Sequence, residues 1–427
     1  MDPSDSSAPV SVPEKDDQPA DPTPQPTGQH DFPEGGARAW GVASGASLVS
    51  FCTLGYVTSF GVFQTYYIQH QLSDESPSTI AWIGSLQFFF IFSAGLVAGP
   101  LFDRHGAKIL FPACIIYVAS VMLTSISSQY WHFILAQGIL GGVSSGMVLN
   151  PAFAAAPQYF FRKRGAAMGL VVAGSSVGGV IFPLALPRLF DISKLGFGWA
   201  VRIIGFIILA LLALSCIAIK ERLPPRKNKF FLPRALTEVT YALVIASGFV
   251  INLGIFTPYF FLPEYALSRG VDPLFSNYLV AILNGSSFFG RLILGTLSDR
   301  AGRLNIFATA AVISSILLFV WTHATTKGAI ITFTVFYGFF SGGTSSCFST
   351  SLASAASNPS NTGTYIGQGS AIGALASLIG PPVNGAFLAR YGRFDQLAIF
   401  SAVACLIGTV TILTAKTTTK AGLKGVV

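Results

Sequence analysis

Two stretches decide the fold: Gly99-Pro100-Leu101-Phe102-Asp103-Arg104-His105-Gly106-Ala107-Lys108 and Gly295-Thr296-Leu297-Ser298-Asp299-Arg300-Ala301-Gly302-Arg303. They share the spacing G-x-L-x-D-R-x-G with a basic residue close behind, and they start 196 residues apart. Each follows an apolar run long enough to cross a bilayer and precedes another. One polar turn repeated at half-chain separation, between hydrocarbon-like runs, implies a membrane protein built from two related halves. Transporters are commonly built this way.

Composition agrees. Of 427 residues, 52% are hydrophobic and only 10% charged, and mean hydropathy is +0.61. A soluble domain carries about 25% charged residues, so a water-soluble fold is excluded. The net charge of +8 does not point to nucleic acid, because the basic residues fall between apolar runs and form no basic–aromatic patch. The five cysteines lie scattered inside apolar runs and read as buried filler. The five histidines are equally scattered. Neither a metal nor a cofactor is expected, and no cluster of His, Asp or Cys suggests an integral membrane enzyme.

The apolar runs predict an all-α membrane protein with twelve transmembrane helices, at 39–67, 79–102, 107–127, 131–156, 165–190, 197–219, 239–263, 274–297, 304–323, 328–352, 363–388 and 394–415. A hydrocarbon core about 30 Å thick needs about 20 helical residues. An even number places both termini on one side. Eighteen basic residues fall on that side and six on the other, so both termini are expected in the cytosol. Residues 1–37 hold eight of the eighteen acidic residues among Pro, Ser and Gln, and read as a disordered cytosolic tail without a cleavable signal. The expected division is a six-helix half at 38–219, a basic cytosolic loop at 220–238, a second half at 239–415 and a cytosolic tail at 416–427.

The repeat extends further. At an offset of 198, Gly165, Gly169, Ala173 and Pro183 align with Gly363, Gly367, Ala371 and Pro381. At 200, Gly138 and Gly142 align with Gly338 and Gly342. Two parallel six-helix halves around a central cavity follow.

The duplicated turn resembles the loop motif of the major facilitator superfamily. Other stretches resemble its monocarboxylate-porter-like family, in the fungal branch: Pro33-Glu34-Gly35-Gly36 with Arg38-Ala39-Trp40 before helix 1, Ser59-Phe60-Gly61-Val62-Phe63-Gln64 at its end, Ala81-Trp82-Ile83-Gly84 in helix 2 and Arg164-Gly165-Ala166-Ala167-Met168-Gly169 in helix 5. The resemblance implies the major facilitator fold and a carrier of small organic molecules. Animal lactate carriers of that family use a helix 1 lysine and a helix 8 Asp/Arg pair. Arg291 matches the arginine, but the aspartate would fall at Ser287 and the lysine near Thr58.

Arg291 is the sharpest candidate for substrate binding. An arginine inside a membrane helix costs about 2.5–3.5 kcal/mol on the insertion scale unless it faces protein or water, and its fork suits a carboxylate. The alternative is a structural tie to carbonyls or to Asp299. Asn284, two turns earlier, shares its face. The resemblance adds Tyr56, Asn150, Asn252 and Tyr259, on helices that commonly face the pathway; for each, interhelical hydrogen bonding is the rival reading. Gly99, Asp103, Arg104, Gly106, Gly295, Asp299, Arg300, Gly302 and Arg303 are the expected conformational gate. Its carboxylates would cap neighbouring helices or pair with arginines. No acidic residue sits clearly mid-membrane; Glu264 is nearest.

The reading is therefore a secondary transporter, functional as a monomer in the bilayer. It would move a small organic acid or acidic metabolite by alternating access, with export of a fungal secondary metabolite the leading direction. A proton-linked importer of a monocarboxylate or vitamin-like acid is the alternative, and a non-transporting sensor ranks below it. The plasma membrane is the expected location and an internal membrane the alternative; a coupling proton remains open, and no nucleic-acid partner is expected.

Overall fold

Long helices alternate with short turns, and no strand occurs among the described residues. The computed structural model describes residues 32–191, 196–224, 232–356, 358–419 and 422. Residues 1–31 of the expected tail lie outside the described residues, as do 225–231 of the central loop and 420, 421 and 423–427 at the C-terminus. Ten helical segments are long and apolar enough to cross a membrane. One of them, Thr79–Ser125, has 47 residues and divides at Gly106, where φ is +66°. The 29-residue helix Lys327–Ala355, less apolar because of its Ser, Thr and Gly content, completes twelve crossings.

These are α1 (Gly36–Gln69), α2 (Pro77–Ser93 with Gly95–His105), α3 (Leu110–Ser125), α4 (Tyr130–Gln158), α5 (Arg164–Asp191), α6 (Gly196–Ala218), α7 (Val239–Ser268), α8 (Pro273–Ala301), α9 (Arg303–His323), α10 (Lys327–Ala355), α11 (Thr362–Tyr391) and α12 (Asp395–Thr417). No end departs from its expected position by more than five residues. Polar residues mark the boundaries. The Ser76 hydroxyl accepts from Thr79 N at 3.1 Å before α2, and the Thr326 hydroxyl from Ala329 N at 3.3 Å before α10. Gly106 and Gly302, the last glycines of the two signature copies, end α2 and α8 with φ +66° and +94°. A side chain there would be strained, which explains the glycine in the motif.

Neighbours repeat along with the sequence. α1 packs on α5 and α6, α2 on α4, and α3 on α6. Likewise α7 packs on α11 and α12, α8 on α10, and α9 on α12. The first six helices meet the last six through crossed pairs, α2 with α11 and α5 with α8. Bulky apolar side chains such as Phe111, Phe206, Ile217 and Val410 point outward, as hydrocarbon solvent permits.

Among the interruptions that the sequence did not signal, two border the cavity. α1 passes through a π-helical stretch, Phe51–Gly55, and a turn at Thr58 and Ser59. Both hydroxyls fold back on the Gly55 carbonyl, at 2.8 and 3.1 Å, and Ser59 N bonds Tyr56 O instead. α7 opens into a turn over 253–256, where Pro258 has no N–H to give to Gly254. Both breaks lie on the wall of a central cavity.

Candidate functional site

The cavity lies between the first six helices and the last six. Its volume is about 1280 Å³, above the roughly 300–1,000 Å³ of ordinary ligand pockets. Both halves give it apolar and polar groups. Helices α1, α2 and α4 contribute Leu54, Val57, Phe60, Trp82, Phe88, Phe92 and Phe153 beside Thr58, Ser59, Gln64, Gln69 and Ser85. Helices α7, α8, α10 and α11 add polar groups: Asn252, Tyr259, Asn284, Arg291, Thr344, Ser345, Ser349, Ser370 and Ser377. No carboxylate occurs among the described lining residues, whereas Arg291, Arg188 and His70 do. His70 and Arg188 are exposed at the mouth, and Arg291 is buried far inside.

The guanidinium of Arg291 is 8% exposed. Its Nη1 donates to the Val172 carbonyl at 2.7 Å and to the Ser175 hydroxyl, both on α5. The Tyr259 hydroxyl lies beside it. Nε is buried with no acceptor, a costly state for a charged group. Nη1 is thus tied to α5, while Nε keeps unmet hydrogen-bonding capacity. Asn284 is 2% exposed, donates to its own helix at Val280 O (3.0 Å), and packs on Gly179 of α5. Asn252 faces Gly373 of α11.

Two of the expected contact residues lie off this wall. Asn150 is not on the wall: its amide donates to Ile91 O at 3.2 Å and Gly146 O at 2.9 Å, joining α4 to α2. Tyr56 is also off the wall, edge-on to Phe63 and Phe182, with its hydroxyl buried and unpartnered. Asn252, Tyr259, Asn284 and Arg291 do line the cavity together. Thr58 lines it too, while Ser287 is buried against α5, 3.4 Å from the Ser176 hydroxyl. Glu264 is exposed and does not line it. Sequence reasoning missed the two α5 acceptors of Arg291 and the Phe88–Phe256 pair, 5.6 Å between ring centroids, that joins α2 to α7. No local signal marks either, because both depend on how helices are rotated.

The end that carries the termini is shut by the duplicated signature. Asp103 of α2 reaches the start of α11, accepting from Gly363 N (3.0 Å), Thr364 N (2.7 Å) and the Thr364 hydroxyl (2.6 Å). Asp299 of α8 reaches the start of α5, accepting from Gly165 N (2.6 Å) and Ala166 N (2.8 Å). Each carboxylate meets the positive end of a helix dipole and fills open backbone donors. Glycines let the backbones touch: a methyl at Gly99 would overlap the Gly363 carbonyl, and one at Gly295 would sit 2.7 Å from the Gly165 carbonyl. Arg104 and Arg300 point outward and are exposed. Arg303 donates to the Ser354 hydroxyl at 2.9 Å and to the Phe161 carbonyl at 2.5 Å. The cavity is therefore closed at one end and open at the other.

Twelve crossings around a cavity reachable from one membrane face are the architecture of a multi-pass membrane transporter of a small molecule. The chain belongs to the Major Facilitator Superfamily, whose sequence pattern matches residues 46–381. It is 51% identical over 385 residues to the aspyridones efflux protein apdF of Emericella nidulans, covering 90% of this chain and 79% of that one. It is 38% identical over 392 residues to the agnestins efflux protein AgnL12 of Paecilomyces divaricatus, covering 90% and 89%. Among solved structures, the human organic anion transporter MFSD10 superposes with a TM-score of 0.70 at 15% identity, over 88% of this chain and 98% of that one, a likeness of fold.

Proposed function

We propose that this chain exports a small acidic organic metabolite by alternating access, as a monomer of monocarboxylate-porter type. The observation that carries this reading is the cavity itself, which holds a buried arginine with unmet hydrogen-bonding capacity and no carboxylate among its described lining residues. An anion that reaches Arg291 gains charge-assisted bonds from Nε and Tyr259. Arg188 and His70 at the mouth extend the positive potential outward. Aromatic side chains from both halves, among them Phe60, Trp82, Phe88, Phe256 and Phe348, suit a hydrophobic body, so the preferred solute is amphipathic and much larger than a simple monocarboxylate.

Two relatives named as efflux proteins support the outward direction. The two six-helix halves, 38–219 and 239–415, are the moving bodies. The signature carboxylates hold them together on the cytosolic side, where the termini lie, and release them when the cavity turns inward. The excess of basic residues on the terminus side supports that orientation, in the plasma membrane. Glu264 lies away from the cavity, so it is no carrier for a proton coupled to the solute there.

The test compares metabolites inside and outside cells that overexpress the protein or lack it. The reading expects an acidic compound to move outward with expression. Accumulation of a medium component inside the overexpressing cells would overturn it.

A further inference from the structure

The segment before α1 takes no part in the cavity, yet it grips the same helix start as Asp299. Glu34 places its carboxylate under the α4–α5 loop: Oε1 accepts from Phe161 N at 2.8 Å and Arg162 N at 2.7 Å, and Oε2 from Lys163 N at 3.1 Å. Glu34 N also donates to Tyr159 O at 3.2 Å. Glu34 itself holds φ +52°, the one non-glycine positive φ among the described residues. Such a conformation persists only where the surroundings fix it. Trp40, a turn and a half on, lays its ring 4.9 Å from Phe160.

We infer that Glu34 is a positioning residue for the gate: it sets the α4–α5 loop in the shape that presents the Gly165 and Ala166 amides to Asp299. Amides 161–163 are fixed from the first six helices by Glu34, and amides 165–166 from the last six by Asp299. The loop's carbonyls are gripped in turn, Phe160 O by Arg164 Nε at 3.1 Å and Phe161 O by Arg303 of α9. Glu34 and Asp299 both offset the charges of Arg164 and Arg303. Two carboxylates and two arginines thus neutralise one another around a single helix start. When the α5–α8 crossing parts, Asp299 leaves but Glu34 stays, so the α5 amides remain in register for the next closure. At the α11 start the arrangement differs: Asn358 caps the preceding turn locally, accepting from Ser360 N at 3.0 Å, and Glu238, just before α7, accepts from the Tyr365 hydroxyl at 2.6 Å.

Amide hydrogen exchange on the purified full chain, resolved to single residues by fragmentation, tests this without knowledge of the substrate. In Glu34→Ala, and more mildly in Glu34→Gln, exchange at Gly165 and Ala166 rises about tenfold, the size of one lost hydrogen bond to a charged group, together with residues 161–163. Exchange at Gly363 and Thr364 stays at the parent rate and certifies the fold. The inference is overturned if only 161–163 exchange faster while 165–166 keep their protection. It is equally overturned if both crossings loosen together in both variants.

Discussion

The α2–α11 and α5–α8 crossings solve one problem with unequal parts. At the first, Gly95 and Gly99 face Gly363 and Gly367, and Asp103 accepts three hydrogen bonds while only 5% exposed. At the second, Gly295 faces Gly165 and Gly169, and Asp299 accepts two while half-buried. At the signature's offset of 196, Gly95 corresponds to Arg291. At 198, Ala166 corresponds to Thr364, whose hydroxyl supplies the third bond. The first crossing is therefore a latch alone. The second combines a leaner latch, backed by Glu34, with the cavity's buried cation.

The largest effect that would break this comparison comes from the glycines. Valine at Gly99 or Gly295 would collide with backbone carbonyls, which cannot yield as a side chain does. Either variant is expected to reach the membrane yet lose nearly all efflux, because the terminus side cannot close. Full efflux by either one would contradict the contact geometry.

Next come the carboxylates. Asp103→Asn should raise exchange at Gly363 and Thr364 by more than Asp299→Asn raises it at Gly165 and Ala166, since the first loses more charge-assisted bonds in a drier site, each worth about 1.5–3 kcal/mol. Equal responses would mean that the third donor contributes nothing. The smallest test exchanges the distinguishing residue. Thr364→Val should loosen the α11 start by about 1 kcal/mol, the scale of one hydroxyl bond, and leave the α5 start unchanged. Ala166→Thr should tighten the α5 start if its hydroxyl reaches Asp299.

Much of this was legible in the sequence. Twelve apolar runs gave helix limits within a few residues, because the bilayer demands length and hydropathy from every crossing. The duplicated turn singled out Asp103 and Asp299, but not their partners. That Asp103 caps α11 and Asp299 caps α5 depends on crossed packing between distant segments. Arg291 stood out because charge inside a membrane helix needs a reason. Asn150 was less legible, because an uncharged polar residue is satisfied as well by a neighbouring helix as by a cavity, and helix rotation, which also keeps Tyr56 off the wall, cannot be read from one chain. The break in α7 at Gly254 and Pro258 stayed hidden because membrane helices tolerate both residues.

The most direct measurement takes the acidic compound found outside overexpressing cells and compares its efflux for the parent and Arg291→Gln at equal membrane level. Losing one partner of a buried charge pair costs about 2–5 kcal/mol, so efflux should fall at least about tenfold while a neutral ester of the same compound is spared. Undiminished efflux of the acid by Arg291→Gln would reduce Arg291 to a tie between α8 and α5 and contradict its assignment as the anion site.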